Sequence, residues 1–121
     1  MNQNKILVVD DDEGILEALN IMLDAAGYEV ELSEDGEALG KIGASNVPDL
    51  ILLDVLLSGK DGRDLCRVLK ANDDTKNIPV IMISAHPGAE ESVKQCGADG
   101  FVAKPFEVED LLNRIHGLIS N

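Results

Sequence analysis

The chain has 121 residues, of which 45% are hydrophobic and 27% are charged. These values are typical of one globular domain and exclude a chain that is disordered along its length. The net charge of −13 is expected to repel nucleic acid and anionic membranes. That charge suits a partner with a basic face or a bound cation, although it also serves solubility alone. The polar N-terminus lacks the apolar core of a secretion signal, which predicts a cytosolic protein.

The N-terminal part of the chain alternates between apolar runs and an amphipathic segment. Residues 6–9 are apolar without polar alternation, which is typical of a strand buried on both faces. The apolar spacing within residues 15–26 predicts a helix, with Asp12 as its N-cap and Gly27 just after its C-terminus. Residues 28–33 alternate more strongly between polar and apolar, and this predicts a strand at an edge of the sheet.

The rest of the chain continues the alternation of short apolar runs with amphipathic segments. The last helix has the clearest apolar periodicity. In chain order, the predicted segments are a weak helix near 38–42, a strand at 50–53, a helix near 65–69, a strand at 80–83, a short helix at 89–96, a strand at 101–103 and a helix at 108–119.

Five strands that alternate with five helices predict an α/β fold of the (βα)5 type. Strict alternation favours an open, doubly wound parallel sheet, because five strands do not close an eightfold barrel. The expected strand order is 2-1-3-4-5, as in flavodoxin-like folds, with the first and fifth helices on one face and the other three on the opposite face. Residues 1–121 are expected to form this single domain.

Chemically reactive side chains stand where the predicted strands end. Asp10 and Asp11 follow the first strand, Asp54 the third, Ser84 the fourth and Lys104 the fifth. The carboxyl ends of parallel strands lie along one edge of the sheet, and ligands of open α/β sheets bind there. Because the first and third strands are expected to be neighbours, three carboxylates should converge, flanked by a hydroxyl and an ammonium group.

The residue types at this edge favour phosphoryl chemistry with a hard divalent cation. Three adjacent carboxylates raise one another's pKa values unless a cation is present. Oxygen ligands without His or Cys suit Mg²⁺, which also accepts phosphate as a ligand. A lysine and a serine hydroxyl can bind phosphoryl oxygens, and a carboxylate can itself attack phosphorus.

With these residues in place, the sequence resembles the receiver domain of two-component response regulators, over nearly the whole chain. No single motif carries this resemblance, but five motifs follow in order at family-like spacing. They are residues 5–11 (Lys-Ile-Leu-Val-Val-Asp-Asp), 48–55 (Pro-Asp-Leu-Ile-Leu-Leu-Asp-Val) with Asp61-Gly62 downstream, 78–85 (Ile-Pro-Val-Ile-Met-Ile-Ser-Ala), 97–100 (Gly-Ala-Asp-Gly) and 104–106 (Lys-Pro-Phe).

The resemblance implies a phosphoacceptor and a Mg²⁺ site. Asp54 corresponds to the phosphorylated aspartate and contributes to the metal site. Asp11 would bind Mg²⁺ directly, Asp10 through water, and the backbone carbonyl of Leu56 would be a further protein ligand. The phosphoryl donor would be a phosphohistidine on a histidine kinase or a phosphotransfer domain.

The resemblance also implies a switch that signals to an unidentified downstream protein. Ser84 would contact the phosphoryl group and move on activation, and Lys104 would pair with a phosphoryl oxygen. The bond between Lys104 and Pro105 is expected to be cis, as in the family. Phe101 corresponds to the aromatic residue that turns inward when Ser84 moves. Such a domain assists its own phosphorylation and dephosphorylation but is not a conventional enzyme.

Some positions depart from the family pattern. Ser58 replaces a common proline, Lys60 replaces an apolar residue and adds positive charge near the site, and Phe101 replaces a commoner tyrosine. The stretch 84–104 is short by about half a helical turn, so the fourth helix should be clipped or displaced. His86 lies two residues past Ser84 at the rim, where it either limits water access or faces solvent.

Three functional classes remain to be compared. The favoured one is a phosphoacceptor of the single-domain, chemotaxis-regulator-like type, acting alone or in a phosphorelay, although the chain could also be part of a larger regulator or hybrid kinase. The second is a degenerate receiver that binds a partner without phosphorylation, but such receivers usually lack acidic or lysine residues that are present here. The third is a flavin or nucleotide enzyme, which the acidic loop 10–14 and the 2% aromatic content disfavour.

Overall fold

A computed structural model describes residues 4–42, 47–57, 59–86 and 88–119. Strands and helical segments alternate along this part of the chain. The elements are β1 (Lys5–Val9), α1 (Glu13–Ala25), β2 (Glu29–Ser33), a 3₁₀ helix (Glu37–Lys41), β3 (Leu50–Asp54), α2 (Gly62–Ala71), β4 (Val80–Ser84), α3 (Ala89–Gln95), β5 (Gly100–Ala103) and α4 (Val108–Ile119). Between β3 and α2, the two-residue strands Leu56–Leu57 and Lys60–Asp61 pair antiparallel and form what we call the short hairpin.

The main sheet has five parallel strands in the order β2-β1-β3-β4-β5, which confirms the predicted topology. All five residues of β3 and of β4 are buried, because helices cover both faces of these central strands. β2 lies at an edge, as its alternating sequence indicates. The register pairs Val9 with Leu53, so the residues that follow, Asp10 and Asp54, leave the sheet side by side.

Two apolar layers hold the helices against the sheet, on the faces that the topology predicts. One layer joins the sheet to α1 and α4, and the other joins it to the 3₁₀ helix, α2 and α3. The helical members of the first layer are Leu16, Leu19, Leu23, Leu111 and Ile115. Those of the second are Leu39, Cys66, Leu69 and Val93, and its cysteines are buried, free thiols.

The ends of α1 follow from its sequence. The Asp12 carboxylate accepts hydrogen bonds from the backbone N–H groups of Gly14 and Ile15 at 2.9 and 3.3 Å, so it caps the helix as predicted. Gly27 follows the helix with a φ of 97°, a conformation that favours glycine. Neither the capping carboxylate nor this glycine requires any tertiary contact, which is why both could be predicted.

The predicted weak second helix is a single 3₁₀ segment of five residues. It begins after Gly36, which has a φ of 82° and provides no side-chain cap, and only Leu39 is buried. Another glycine, Gly40, lies within the segment and lowers its helical propensity. The sequence therefore lacks both the cap and the apolar face that would extend this segment into an α-helix.

The fourth helical segment, α3, has seven residues and is short, as predicted. At the neighbouring edge of the sheet, the Nη1 atom of Arg114 donates a hydrogen bond to the carbonyl of Phe101 in β5 at 3.0 Å. Arg114 also contacts Asp110 one turn earlier in α4, with an Nε–Oδ2 distance of 3.3 Å. Among the described residues, no helix is long and apolar enough to cross a membrane.

Gly62 packs directly against the strand that carries Asp54. Its N–H donates to the Val55 carbonyl at 2.6 Å, and a Cβ atom at this position would overlap the carbonyl oxygen of Asp54. The first residue of α2 therefore has to be glycine for the backbone to approach this closely.

We expect Gly62→Ala to lower the free energy of unfolding by roughly 2 kcal/mol, because the backbone at Asp54 must move to admit the methyl group. Urea denaturation would measure this change. Gly40→Ala is the matched control, since nothing lies within 4 Å of its Cβ position. Equal stability of the two variants would contradict the close approach.

Candidate functional site

Three carboxylates meet at the carboxyl ends of β1 and β3. One oxygen from each of Asp10, Asp11 and Asp54 lies within 4.8 Å of the other two. Asp10 and Asp54 are 1% and 7% exposed, whereas Asp11 faces solvent. The predicted acidic cluster is therefore present, with two buried members and one exposed member.

Lys104 reaches this cluster from the end of β5. Its Nζ atom lies 3.0 Å from Oδ2 of Asp10 and 3.4 Å from Oδ1 of Asp54. Its backbone N–H donates to the Ser84 carbonyl at 2.8 Å, and its peptide bond to Pro105 is cis, as predicted. Burial of the ammonium acts to lower the pKa of Lys104, but the hydrogen bond to Asp10 and both carboxylate charges outweigh burial and raise it.

The surroundings of Asp54 raise the pKa of its carboxyl group. Burial raises the pKa of Asp54 from 3.8 to about 6, and the charge of Asp10 adds to this effect while Lys104 opposes it. One ammonium group therefore does not compensate for the desolvation and repulsion of the clustered carboxylates.

The cluster has the donor set of a hard cation. All three side chains present carboxylate oxygens, and their spacing allows one ion to contact more than one of them. Asp10 is already engaged on both oxygens, by Lys104 at Oδ2 and by the backbone N–H of Asp12 at Oδ1, 3.0 Å away. Leu56, two residues past Asp54, lies in the short hairpin with its side chain exposed. The residues present thus fit Mg²⁺.

The two predicted switch residues lie on neighbouring strands but in different surroundings. Ser84 ends β4 and is 2% exposed, and its Oγ atom accepts a hydrogen bond from the backbone N–H of His86 at 3.0 Å. Phe101, on β5, is half-buried and packs against the apolar layer under α2 and α3. The structure thus brings Asp10, Asp11, Asp54 and Lys104 into one cluster, whereas Phe101 packs in the apolar layer.

The sequence position of Lys60 predicts a positive charge near the site, but its ammonium group binds the turn after β2. Its Nζ atom donates to the carbonyl of Asp35 at 3.0 Å, which fastens the short hairpin to the turn after β2. The flexible side chain allows this direction, and sequence alone does not fix it. Ser58, the other departure in this loop, lies outside the described residues.

Sequence reasoning missed a hydrogen-bonded group beside the site. Asp61 caps α2 by accepting from the backbone N–H of Arg63 at 2.9 Å. The Arg63 side chain binds the same carboxylate and also donates to Ser92 on α3. An aspartate just before an amphipathic helix predicts the cap, but no sequence signal predicts the partner on α3.

The raised pKa of Asp54 sets the direction of a pH dependence. Because the folded-state pKa of about 6 exceeds the ordinary value of 3.8, the folded protein retains a proton that the unfolded chain has lost between these values. The contribution of Asp54 to stability is therefore most favourable below about pH 4 and is lost as the pH rises through about 6.

Asp54→Asn cannot ionise, so without divalent cations we expect it to exceed the parent in stability by about 1–2 kcal/mol near pH 7.5. This advantage should shrink towards zero at about pH 4. Urea unfolding in EDTA at both pH values tests the expectation. Asp73→Asn, whose side chain is 92% exposed, is the control and should show no such gain. An Asp54→Asn variant that is less stable near neutral pH would contradict the raised pKa.

Comparison with known proteins agrees with this geometry. The sequence profile of the response regulator receiver domain matches residues 6–116. The response regulator MprA of Mycobacterium sp. (strain KMS) is 42% identical over 118 residues, which cover 95% of this chain and 50% of that protein. The chain thus spans about half the length of the curated relatives that it matches.

Solved structures share the same architecture. The chemotaxis protein CheY4 of Vibrio cholerae is 32% identical, with a TM-score of 0.86 over 97% of this chain and 99% of that one. The receiver domain of sensor histidine kinase PA1611 from Pseudomonas aeruginosa PAO1, which contains magnesium coordinated in its active-site cleft, is 28% identical. Its TM-score is 0.89, over 99% of this chain and 100% of that one. The fold, the acidic cluster with its lysine and the matched profile together establish that the chain belongs to the response regulator receiver domain family.

Proposed function

We propose that Asp54 accepts a phosphoryl group, in the presence of Mg²⁺, from a phosphohistidine on a histidine kinase or a phosphotransfer domain. The observation that carries this proposal is the environment of Asp54, which is buried beside two further carboxylates with the Lys104 ammonium 3.4 Å away. Membership of the receiver family supports it as well.

The transfer forms a bond between an Asp54 carboxylate oxygen and phosphorus, and it breaks the bond between phosphorus and the donor's imidazole nitrogen. The electron pair of that bond leaves with the imidazole. Lys104 donates to a phosphoryl oxygen and stabilises the charge on it. The acyl phosphate then carries its negative charge on phosphoryl oxygens, within reach of the same ammonium.

Ser84 is suited to bind the transferred group. Its Oγ atom accepts from the His86 N–H, so the hydroxyl proton can be donated to a phosphoryl oxygen. Ser84 is the last residue of the fully buried strand β4, so in our proposal its hydroxyl reaches the phosphoryl group by a change of rotamer or by a shift of the backbone at the strand end. In our proposal this shift, followed by a change at Phe101, alters the surface that a downstream protein binds.

We assign the metal site to Asp11 directly, Asp10 through water, Asp54 and the carbonyl of Leu56. The hydrogen bonds that already engage both oxygens of Asp10 support an indirect role for that residue. When bound, Mg²⁺ supplies positive charge that lowers the repulsion between the carboxylates and the phosphoryl group. The phosphorylation-independent binding module is not favoured, because the acidic residues and Lys104 form a complete cluster.

Asp54→Asn should abolish phosphoryl uptake, because the amide is not a nucleophile for phosphorus. Intact-mass spectrometry after incubation with Mg²⁺ and acetyl phosphate would show one adduct on the parent and none on the variant. Asp73→Asn, at an exposed position, is the matched control and should be labelled normally. An EDTA sample should also remain unlabelled. Normal labelling of Asp54→Asn would assign the acceptor to another residue.

Asp11→Ala should weaken Mg²⁺ binding while stabilising the metal-free protein, since it removes one of three mutually repelling charges. Thermal unfolding with and without Mg²⁺ measures both effects. The Mg²⁺-induced rise in melting temperature should be smaller than that of the parent. Asp24→Ala, at an exposed position on α1, controls for the loss of any surface carboxylate. A full Mg²⁺ response in Asp11→Ala would remove that residue from the site.

A further inference from the structure

We propose that Arg63 is a positioning residue, a strut that holds the loop after Asp54 at a fixed distance from the loop after Ser84. The consequence for phosphoryl transfer rests on the function proposed above, whereas the structural role does not. Asp54 and Ser84 are the last residues of paired strands, so the strut acts on the segments just beyond them. These segments include Leu56, whose carbonyl is a proposed metal ligand, and His86, whose N–H binds the Ser84 hydroxyl.

The guanidinium of Arg63 makes three side-chain hydrogen bonds in two directions. Nε and Nη2 donate to the two oxygens of Asp61 at 2.9 and 2.7 Å, in the bidentate geometry that is strongest for this pair. Nη1 donates to Oγ of Ser92 on α3 at 2.9 Å. The Arg63 and Asp61 side chains are 28% and 34% exposed, so the pair is partly shielded from water.

On one side, the strut is connected to the phosphoacceptor. Asp61 ends the short hairpin, and the next residue, Gly62, lies in close contact with the backbone carbonyl of Asp54. The Gly62 N–H donates to the Val55 carbonyl at 2.6 Å. A shift of Asp61 is therefore transmitted directly to the backbone beside Asp54.

On the other side, the strut is connected to the Ser84 hydroxyl. Oγ of Ser92 accepts from Arg63 and donates to the Ala89 carbonyl at 2.9 Å, which joins it to the first turn of α3. The Ala89 N–H donates to the carbonyl of His86 at 3.1 Å, and the His86 N–H donates to Oγ of Ser84 at 3.0 Å. Each link is a hydrogen bond of ordinary length, so the chain of contacts is continuous.

A cavity of about 310 Å³ lies between the two loops. Val55 and Leu56 line it on the acceptor side, and His86 and Ala89 line it on the other, together with Arg63. The backbone at Val55 is already joined to β4, because its N–H donates to the Ile83 carbonyl at 2.9 Å. The guanidinium adds a second connection, which joins the start of α2 to α3. A planar group with fixed donor directions suits this task, and lysine, with one compact ammonium, cannot bind both sides in the same way.

The test combines amide hydrogen exchange with phosphorylation rates. Ser92→Ala removes the acceptor at one end of the strut without touching the carboxylate cluster. We expect faster exchange at the amides of His86 and Ala89, and a rate of acetyl phosphate labelling lower by about threefold to tenfold. Ser92→Thr keeps a hydroxyl and should restore both quantities. The Mg²⁺ affinity of Ser92→Ala should stay within about twofold of the parent, because the metal ligands are unchanged.

Two further variants test whether the effects come from the loss of this one connection or from a general loss of helix stability. Arg63→Lys should reproduce the effects of Ser92→Ala, and combining the two should add little, because both remove the same connection. Arg67→Lys is the control for a helix arginine, since Arg67 forms an exposed ion pair with Asp64 one turn earlier in α2, and it should change neither quantity.

Each outcome decides between the two proposals. Unchanged hydrogen exchange at the amides of His86 and Ala89 in both Ser92→Ala and Arg63→Lys would overturn the strut. Faster exchange with an unchanged labelling rate would overturn its role in phosphoryl transfer. If the parent itself took up no phosphoryl group, the proposed function would fail, and hydrogen exchange alone would decide the strut.

Discussion

The contact of one lysine with two buried carboxylates organises this end of the molecule. Lys104 lies at the end of β5, and it reaches past β4 to Asp10 and Asp54 at the ends of β1 and β3. This arrangement follows from the parallel order β2-β1-β3-β4-β5, which places the ends of β1 and β3 next to each other. The cluster therefore depends on the whole sheet, although its residues come from three short segments.

The charges in this cluster do not balance. Three carboxylates face one ammonium group, and burial holds the pKa of Asp54 well above its ordinary value. A folded protein tolerates such a site only because two apolar layers on the opposite faces of the sheet stabilise the fold independently. This unfavourable charge balance supports the proposed Mg²⁺ site, because a bound divalent cation would remove the repulsion between the carboxylates.

The sequence predicted the features that depend on strand ends and local caps. The apolar runs before Asp10 and Asp54 show where each strand stops, and parallel pairing then brings the two residues together. The cap at Asp12 needs only its own helix. By contrast, the second helix was overestimated, because a few apolar residues without a cap sustain only a 3₁₀ turn.

Other features depend on tertiary geometry that no local pattern contains. Lys60 has several rotatable bonds, and its direction towards the Asp35 carbonyl follows from how the short hairpin packs against the turn after β2. Arg63 and Ser92 are 29 positions apart, and they meet only because α2 and α3 lie on the same face of the sheet. Such contacts become visible only when the angles between elements are known.

The two edges of the sheet are protected in different ways. β2 carries Glu29 and Glu31, and the like charges of a second copy would oppose pairing along that strand. β5 has no charged residue, but Arg114 occupies the carbonyl of Phe101, which an added strand would need as a hydrogen-bond acceptor. One side chain on a neighbouring helix thus substitutes for the charges that the strand itself lacks, and the short, uncharged edge is kept from extending the sheet into a neighbouring molecule.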